Sequence, residues 1–344
     1  MSTNDGGASS QPSAPAAAVA EAGGRRGVGR FRKQGGRPSE NGAGIAFGLA
    51  AYGLWGILPL YFTALIPAGP LEIVANRIVW SLLFCFLLIT ALRGWRTFRA
   101  ALANWRTFGT LSLAAGLIAV NWFTYTFAVL NGQAIEASLG YFINPLVSVL
   151  LGVILLKERL RPAQWVAMGV AFIAVLVLAF GYGNVPWIAL ILALSFGFYG
   201  LVKNRVGGRV DAVTSLSVET LVLAPVSVVI MLILLAGSQA TLLSEGPGHF
   251  WLMAASGLIT ALPLLFFGAA ARRLPLSTVG MLQYLAPILQ FITALVFLHE
   301  PMPLERWIGF GLVWLSLAIL TADMVVALKR APKAGAATAG VASH

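Results

Sequence analysis

The chain has 344 residues, of which 58% are hydrophobic and only 10% charged, and it carries a formal net charge of +11. A water-soluble domain holds about a quarter charged residues, so this composition excludes one. The single cysteine excludes an internal disulfide, and the scattered His249, His299 and His344, with no cysteine beside them, point away from a metal site. No cofactor is expected.

Residues 1–41 are rich in Ala, Gly, Ser and Pro and then strongly basic, RRGVGRFRKQGGR over 25–37. Such a tail reads as a solvated cytoplasmic segment that helps to fix orientation, with contact to anionic lipid or another acidic partner as the alternative. Ten apolar stretches follow, at 43–66, 71–92, 107–130, 134–156, 162–180, 185–202, 213–235, 250–270, 276–298 and 305–328. About 20 residues of helix cross a hydrocarbon core of roughly 30 Å, and in lipid only a helix satisfies its own backbone. The predicted fold class is therefore an all-α polytopic membrane protein with ten transmembrane helices.

Of the 23 Lys and Arg residues, all but Arg77 and Arg306 fall in the tails or in the loops on the same side as the tails. The positive-inside rule then makes both termini, 1–41 and 329–344, cytoplasmic, in a cell membrane of plasma or inner-membrane type. Because the basic residues sit between spans and not on one face, the net charge is not read as nucleic-acid binding.

The stretch EASLGYFINPLVSVLLGVILLKERL at 136–160 is matched by a second one at a constant offset of 142 residues. Pro145 matches Pro287, Leu156 matches Leu298, Glu158 matches Glu300, Trp165 matches Trp307 and Gly169 matches Gly311. Ten spans then divide into two repeats of five, at 42–180 and 181–328, and an odd number forces the second to enter the membrane from the opposite side. Inverted repeats are a hallmark of secondary transporters, because two similar halves that exchange conformation open a central site to alternate sides.

Ionisable groups inside a span are functional candidates. Arg77 and Glu219, again 142 apart, and Glu136 are read as coupling or gating groups. Arg77 reads as an anchor for a substrate anion or a gate charge, with snorkelling or a structural ion pair as the plain alternative, and Glu136 is its expected partner. Glu219 reads as a proton-coupling carboxylate or as one bonded to a neighbouring helix. Glu158 is expected to be structural, neutralised by Lys157 and Arg159.

Asn121, Trp122 and Tyr125 lie mid-span, Tyr141 and Asn144 just before Pro145, and Gln283 and Tyr284 just before Pro287. Polar and aromatic groups beside two helix-breaking prolines are expected to line a central cavity for substrate, since each proline strips one carbonyl of its helical donor. Packing is the plain alternative for the rings. Gly44 and Gly48 mark close helix packing.

The segments AYGLWGILPLYF (51–62), NRIVWSLLF (76–84), NWFTYTFAVLNG (121–132), the 136–160 stretch and LSFGFYGLVKN (194–204) resemble the RarD-type permeases, in the EamA branch of the drug/metabolite transporter superfamily. The resemblance spans about residues 43–325 and implies ten helices in two inverted halves and small-molecule transport, often export. The expected partners are a small-molecule substrate and the lipid bilayer, with a homodimer left open. No GxxxxGK[ST], GxSxG or HExxH pattern occurs, which argues against ATP hydrolysis by this chain and against an enzyme. A channel or facilitator without ion coupling is the alternative to a carrier, though no filter-like motif is visible.

Overall fold

The structure, a computed structural model, describes residues 38–156, 160–182, 185–206, 210–271, 273–274 and 276–330. The basic tail up to residue 37 and the Lys157-Glu158-Arg159 cluster lie outside the described residues. In chain order the helices are α1 (Pro38–Gly56), α2 (Leu58–Thr63), α3 (Pro70–Ala91), α4 (Trp95–Ala103), α5 (Trp105–Leu130) and α6 (Ala134–Leu156). Then come α7 (Pro162–Tyr182), α8 (Trp187–Val206), α9 (Ala212–Ala236), α10 (Gly246–Ala271), α11 (Leu276–Leu282), α12 (Leu285–Ile292), a π-helical turn (Thr293–Phe297) and α13 (Leu304–Arg330).

Among the described residues there is no strand, and seven helices (α3, α5, α6, α7, α9, α10 and α13) are long and apolar enough to cross a membrane. Two shorter apolar helices, Trp187–Lys203 and Leu285–Phe297, accompany them. Large side chains such as Leu87, Phe172 and Ile233 stay exposed on the outside, where a bilayer covers them and water would not.

Helix starts follow local chemistry. Pro70 opens α3 at a position that needs no amide donor. Asp211 caps α9, with Oδ1 accepting from Thr214 N at 2.9 Å, and Asn104 caps α5 through Thr107 N at 3.1 Å.

Two predicted single spans are interrupted. The first divides between α1 and α2, where Pro59 deprives the Trp55 carbonyl of its helical donor, and Gln290 Nε2 from α12 supplies one at 3.1 Å. The ninth divides at Gln283–Tyr284, four and three residues ahead of Pro287. Pro145 departs from the expectation of a helix break, because α6 runs unbroken through it. One missing bond in a 23-residue helix packed against α8, α12 and α5 does not outweigh the rest.

The segment predicted as an arginine-bearing loop at 93–106 contains α4, whose Trp95, Phe98 and Leu102 pack with Phe86, Ile89 and Val218. The close fit expected at Gly44 and Gly48 is present. A Cβ on Gly44 would lie 2.8 Å from Leu274 Cγ, and one on Gly48 2.7 Å from Leu282 Cδ1.

The interhelical packing pairs α7 with α13, α3 with α9, α6 with α8 and with α12, and α5 with α8 and α9. It also pairs α1 with α10 and α12, and α10 with α3. α3, α5, α6, α8 and α9 form the middle of this network, and the candidate site lies among them.

Candidate functional site

Arg77 projects from the first third of α3 and is 5% exposed. Its Nε donates to Thr260 Oγ1 on α10 at 2.8 Å. That contact needs the two backbones to be close, and Gly257 provides it: a Cβ there would meet Trp80 O at 2.4 Å. The guanidinium carbon sits 4.2 Å from the Trp122 ring centroid and 5.7 Å from that of Phe62, in cation–π range. Tyr61, Tyr125 and Tyr141 lie within electrostatic range.

The expected Arg77–Glu136 pair is not formed. Glu136 Oε1 instead accepts from Ile188 N at the start of α8, at 3.0 Å, with Arg306 in electrostatic range. A carboxylate on the first turn of α6 finds the unsatisfied amides of α8 nearer than the cation on α3. Arg161–Asp323 and Lys203–Glu219 form ion pairs, and Arg77 belongs to neither.

Asn121 is buried and ties three elements together. Its Nδ2 donates to Leu192 O at 3.1 Å and Ser195 Oγ at 3.0 Å on α8, and its Oδ1 accepts from Tyr141 OH at 2.9 Å. Rings continue the contact in both directions. Phe62 meets Tyr125 at 6.0 Å, Tyr125 meets Tyr141 at 5.5 Å, Tyr141 meets Phe196 at 6.0 Å and Phe196 meets Tyr199 at 5.9 Å. Tyr199 OH donates to Glu219 Oε2 at 3.1 Å, and Glu219 Oε1 takes Lys203 Nζ at 2.6 Å and Ser215 Oγ at 3.0 Å. Lys203 also donates to Ser215. One unbroken column of side chains therefore links Arg77 to the Lys203–Glu219 pair.

Asn144 is half-buried beside this column, and its Oδ1 has no hydrogen-bond partner among the described residues. Gln283 is exposed, and Tyr284 is half-buried with Thr321 close by. Among the described residues no hydrogen bond or ring contact joins Gln283 or Tyr284 to the column, so the two predicted clusters are separate.

Sequence reading missed three features. Lys203 counted as a loop cation, yet α8 extends to Val206 and carries it against Glu219. Glu300, 5% exposed, reaches the start of α6, with Oε1 accepting from Ala134 N at 2.6 Å and Oε2 from Ile135 N at 2.8 Å. Glu72 holds Thr241 N at 2.7 Å and Leu242 N at 2.9 Å. Glu300 carried a signal in its match to Glu158 and Glu72 in its place near a span end, but neither signal named a partner. A cavity of about 450 Å³ opens beside Glu136, Leu139, Trp187, Arg306 and Phe310.

The chain matches the EamA-like transporter family twice, over residues 42–180 and 185–322. It belongs to that family. It is 51% identical to Protein RarD of Streptomyces exfoliatus over 292 residues, which is 85% of this chain and 92% of that protein. It is 40% identical to Protein RarD of Escherichia coli, over 84% of this chain and 97% of the relative. Uncharacterized transporter YojE of Bacillus subtilis is 39% identical, over 86% of this chain and 98% of its own length. A solved crystal structure superposes with a TM-score of 0.55 at 20% identity, covering 83% of this chain and 99% of that one, and so shares the fold. The RarD-type resemblance read from the motifs thus holds over most of the chain, and this EamA protein is a multi-pass membrane transporter.

Proposed function

We propose that this EamA protein is a secondary transporter that moves a small organic solute by alternating access between two inverted halves, residues 42–180 and 181–328. The halves contain five spans each, with α1 and α2 together forming the first span and α11, α12 and the π-helical turn the ninth. Both termini are cytoplasmic, and export is the direction the family resemblance implies.

The observation that carries this reading is the exchange symmetry of the packing. Replacing every span by its counterpart five places on turns α5 on α8 into α10 on α1, and α6 on α8 into α12 on α1. It turns α3 on α10 into α9 on α5, while α3 on α9, α6 on α12 and α7 on α13 map onto themselves. A bundle of this kind supports two conformations of nearly equal energy, related by swapping the halves. The column from Arg77 to Glu219 is the solute route, with Asn121, Trp122, Tyr125, Tyr141 and Asn144 along it. Gln283 and Tyr284, which lie apart from the column, are the second half's separate contribution to the lining, and Glu136 and Glu219 are the coupling or gating carboxylates.

Purified protein in proteoliposomes tests the proposal. A carrier gives saturable uptake and counterflow of a solute chosen by thermal-shift screening of amino acids, nucleosides, organic acids and drugs. Conductance far above carrier turnover would establish a channel instead.

A further inference from the structure

Arg77 presents a problem that the bundle itself does not solve. Burying a charge is costly unless it is paired and its N–H groups are bonded. Lys203 meets that requirement through Glu219. Among the described residues Arg77 has one hydrogen bond, from Nε to Thr260, and rings across its face, but no carboxylate. Beside it Tyr125 is 3% exposed, and its enclosed hydroxyl has no hydrogen-bond partner among the described residues. A guanidinium with free terminal N–H groups and a phenol O–H can meet the two oxygens of one carboxylate together.

We propose, resting on the carrier reading, that Arg77 and Tyr125 form the anion-binding part of the solute site. The solute is a small organic monoanion, a carboxylate on an apolar or aromatic body. A single cation sets a single negative charge, and the surrounding rings of Phe62, Trp122 and Tyr141 set the apolar body. Among the described residues no carboxylate is bonded to Arg77, Tyr125 or Tyr141, so a zwitterion would bring an ammonium with no bonded carboxylate beside Arg77 to pair it. The rings lie against the guanidinium, and admitting a solute requires them to part, a movement the alternation of the two halves supplies.

The test uses full-length protein with three probes at millimolar concentration: phenylacetate, its neutral isostere phenylacetamide, and phenylalanine. Phenylacetate is expected to raise the thermal midpoint, phenylacetamide to leave it unchanged, and phenylalanine to bind at least about tenfold more weakly. Arg77→Gln should lower phenylacetate affinity by about tenfold or more. Tyr125→Phe removes only an unbonded hydroxyl, keeps the fold, and should lower affinity about threefold to tenfold.

If Arg77→Gln does not fold, the acid–amide comparison on the unaltered protein decides. Equal binding of acid and amide, equal binding of phenylalanine, no shift with phenylacetate, or unchanged affinity in Tyr125→Phe would each overturn the proposal. Selective acid binding without counterflow would overturn the carrier reading alone.

Discussion

Replacing Glu300 with alanine removes the side chain that receives the first two amides of α6. Ala134 and Ile135 are 1% and 0% exposed, and both amides are bonded to this one carboxylate. The first amides of a helix have no partner within it. Each buried donor left unsatisfied costs about 1–3 kcal/mol. Two of them, less some relief from no longer burying the carboxylate, give a net loss of about 2–5 kcal/mol.

Glu300→Gln keeps one acceptor oxygen and turns an N–H₂ toward the second amide, so it should fall between wild type and alanine. Thermal unfolding in detergent, followed by tryptophan fluorescence, ranks the three. An alanine variant that melts with wild type would refute the reasoning.

The pH dependence sharpens the test. Burial raises the Glu300 carboxyl above its usual range, while the two amides pull it down by less. An acid whose folded value is raised adds stability that is complete below the unfolded value and is lost as pH rises through the folded one. The margin of wild type over Glu300→Gln should therefore be largest in acid and shrink from the ordinary glutamate range upward.

Gly257→Ala should sharply reduce the yield of monodisperse protein on size-exclusion chromatography. The new Cβ would stand 2.4 Å from the backbone oxygen of Trp80, and a backbone atom cannot step aside without separating α3 from α10. Glu219→Gln should abolish pH-dependent uphill flux while sparing solute exchange in proteoliposomes, and unchanged pH dependence would remove Glu219 from the coupling mechanism. The same variant leaves Lys203 without a counter-charge, which should cost about 1–3 kcal/mol in thermal stability, since that cation is partly solvated.

The long spans were legible because hydrophobic length is a local property. The stretches predicted at 134–156 and 213–235 correspond to Ala134–Leu156 and Ala212–Ala236 within a residue at each end. Where a proline competes with tertiary contact the sequence was less informative. Pro59 interrupts its span with Gln290 answering the freed carbonyl, whereas Pro145 sits inside a continuous helix. α4 was readable in principle, because Trp95, Phe98 and Leu102 fall on one helical face, but the four arginines of 93–106 read more strongly as a loop. The grouping of Asn121, Tyr125 and Tyr141 followed from helix spacing and placement beside Pro145. The partners of Arg77, Glu72, Glu136 and Glu300 did not, since each lies between 52 and 183 residues away in the chain.

The grip of Glu300 on α6 also has a consequence for the order of synthesis. Ala134 is translated 166 residues before the carboxylate that receives its amide. Until then the start of α6 has only water or a lipid headgroup to bond, so the first half of the chain cannot settle at that end. Glu72 faces the same delay, its acceptor oxygens waiting for Thr241, 169 residues on. The half that is made first is thus finished by the half that is made last.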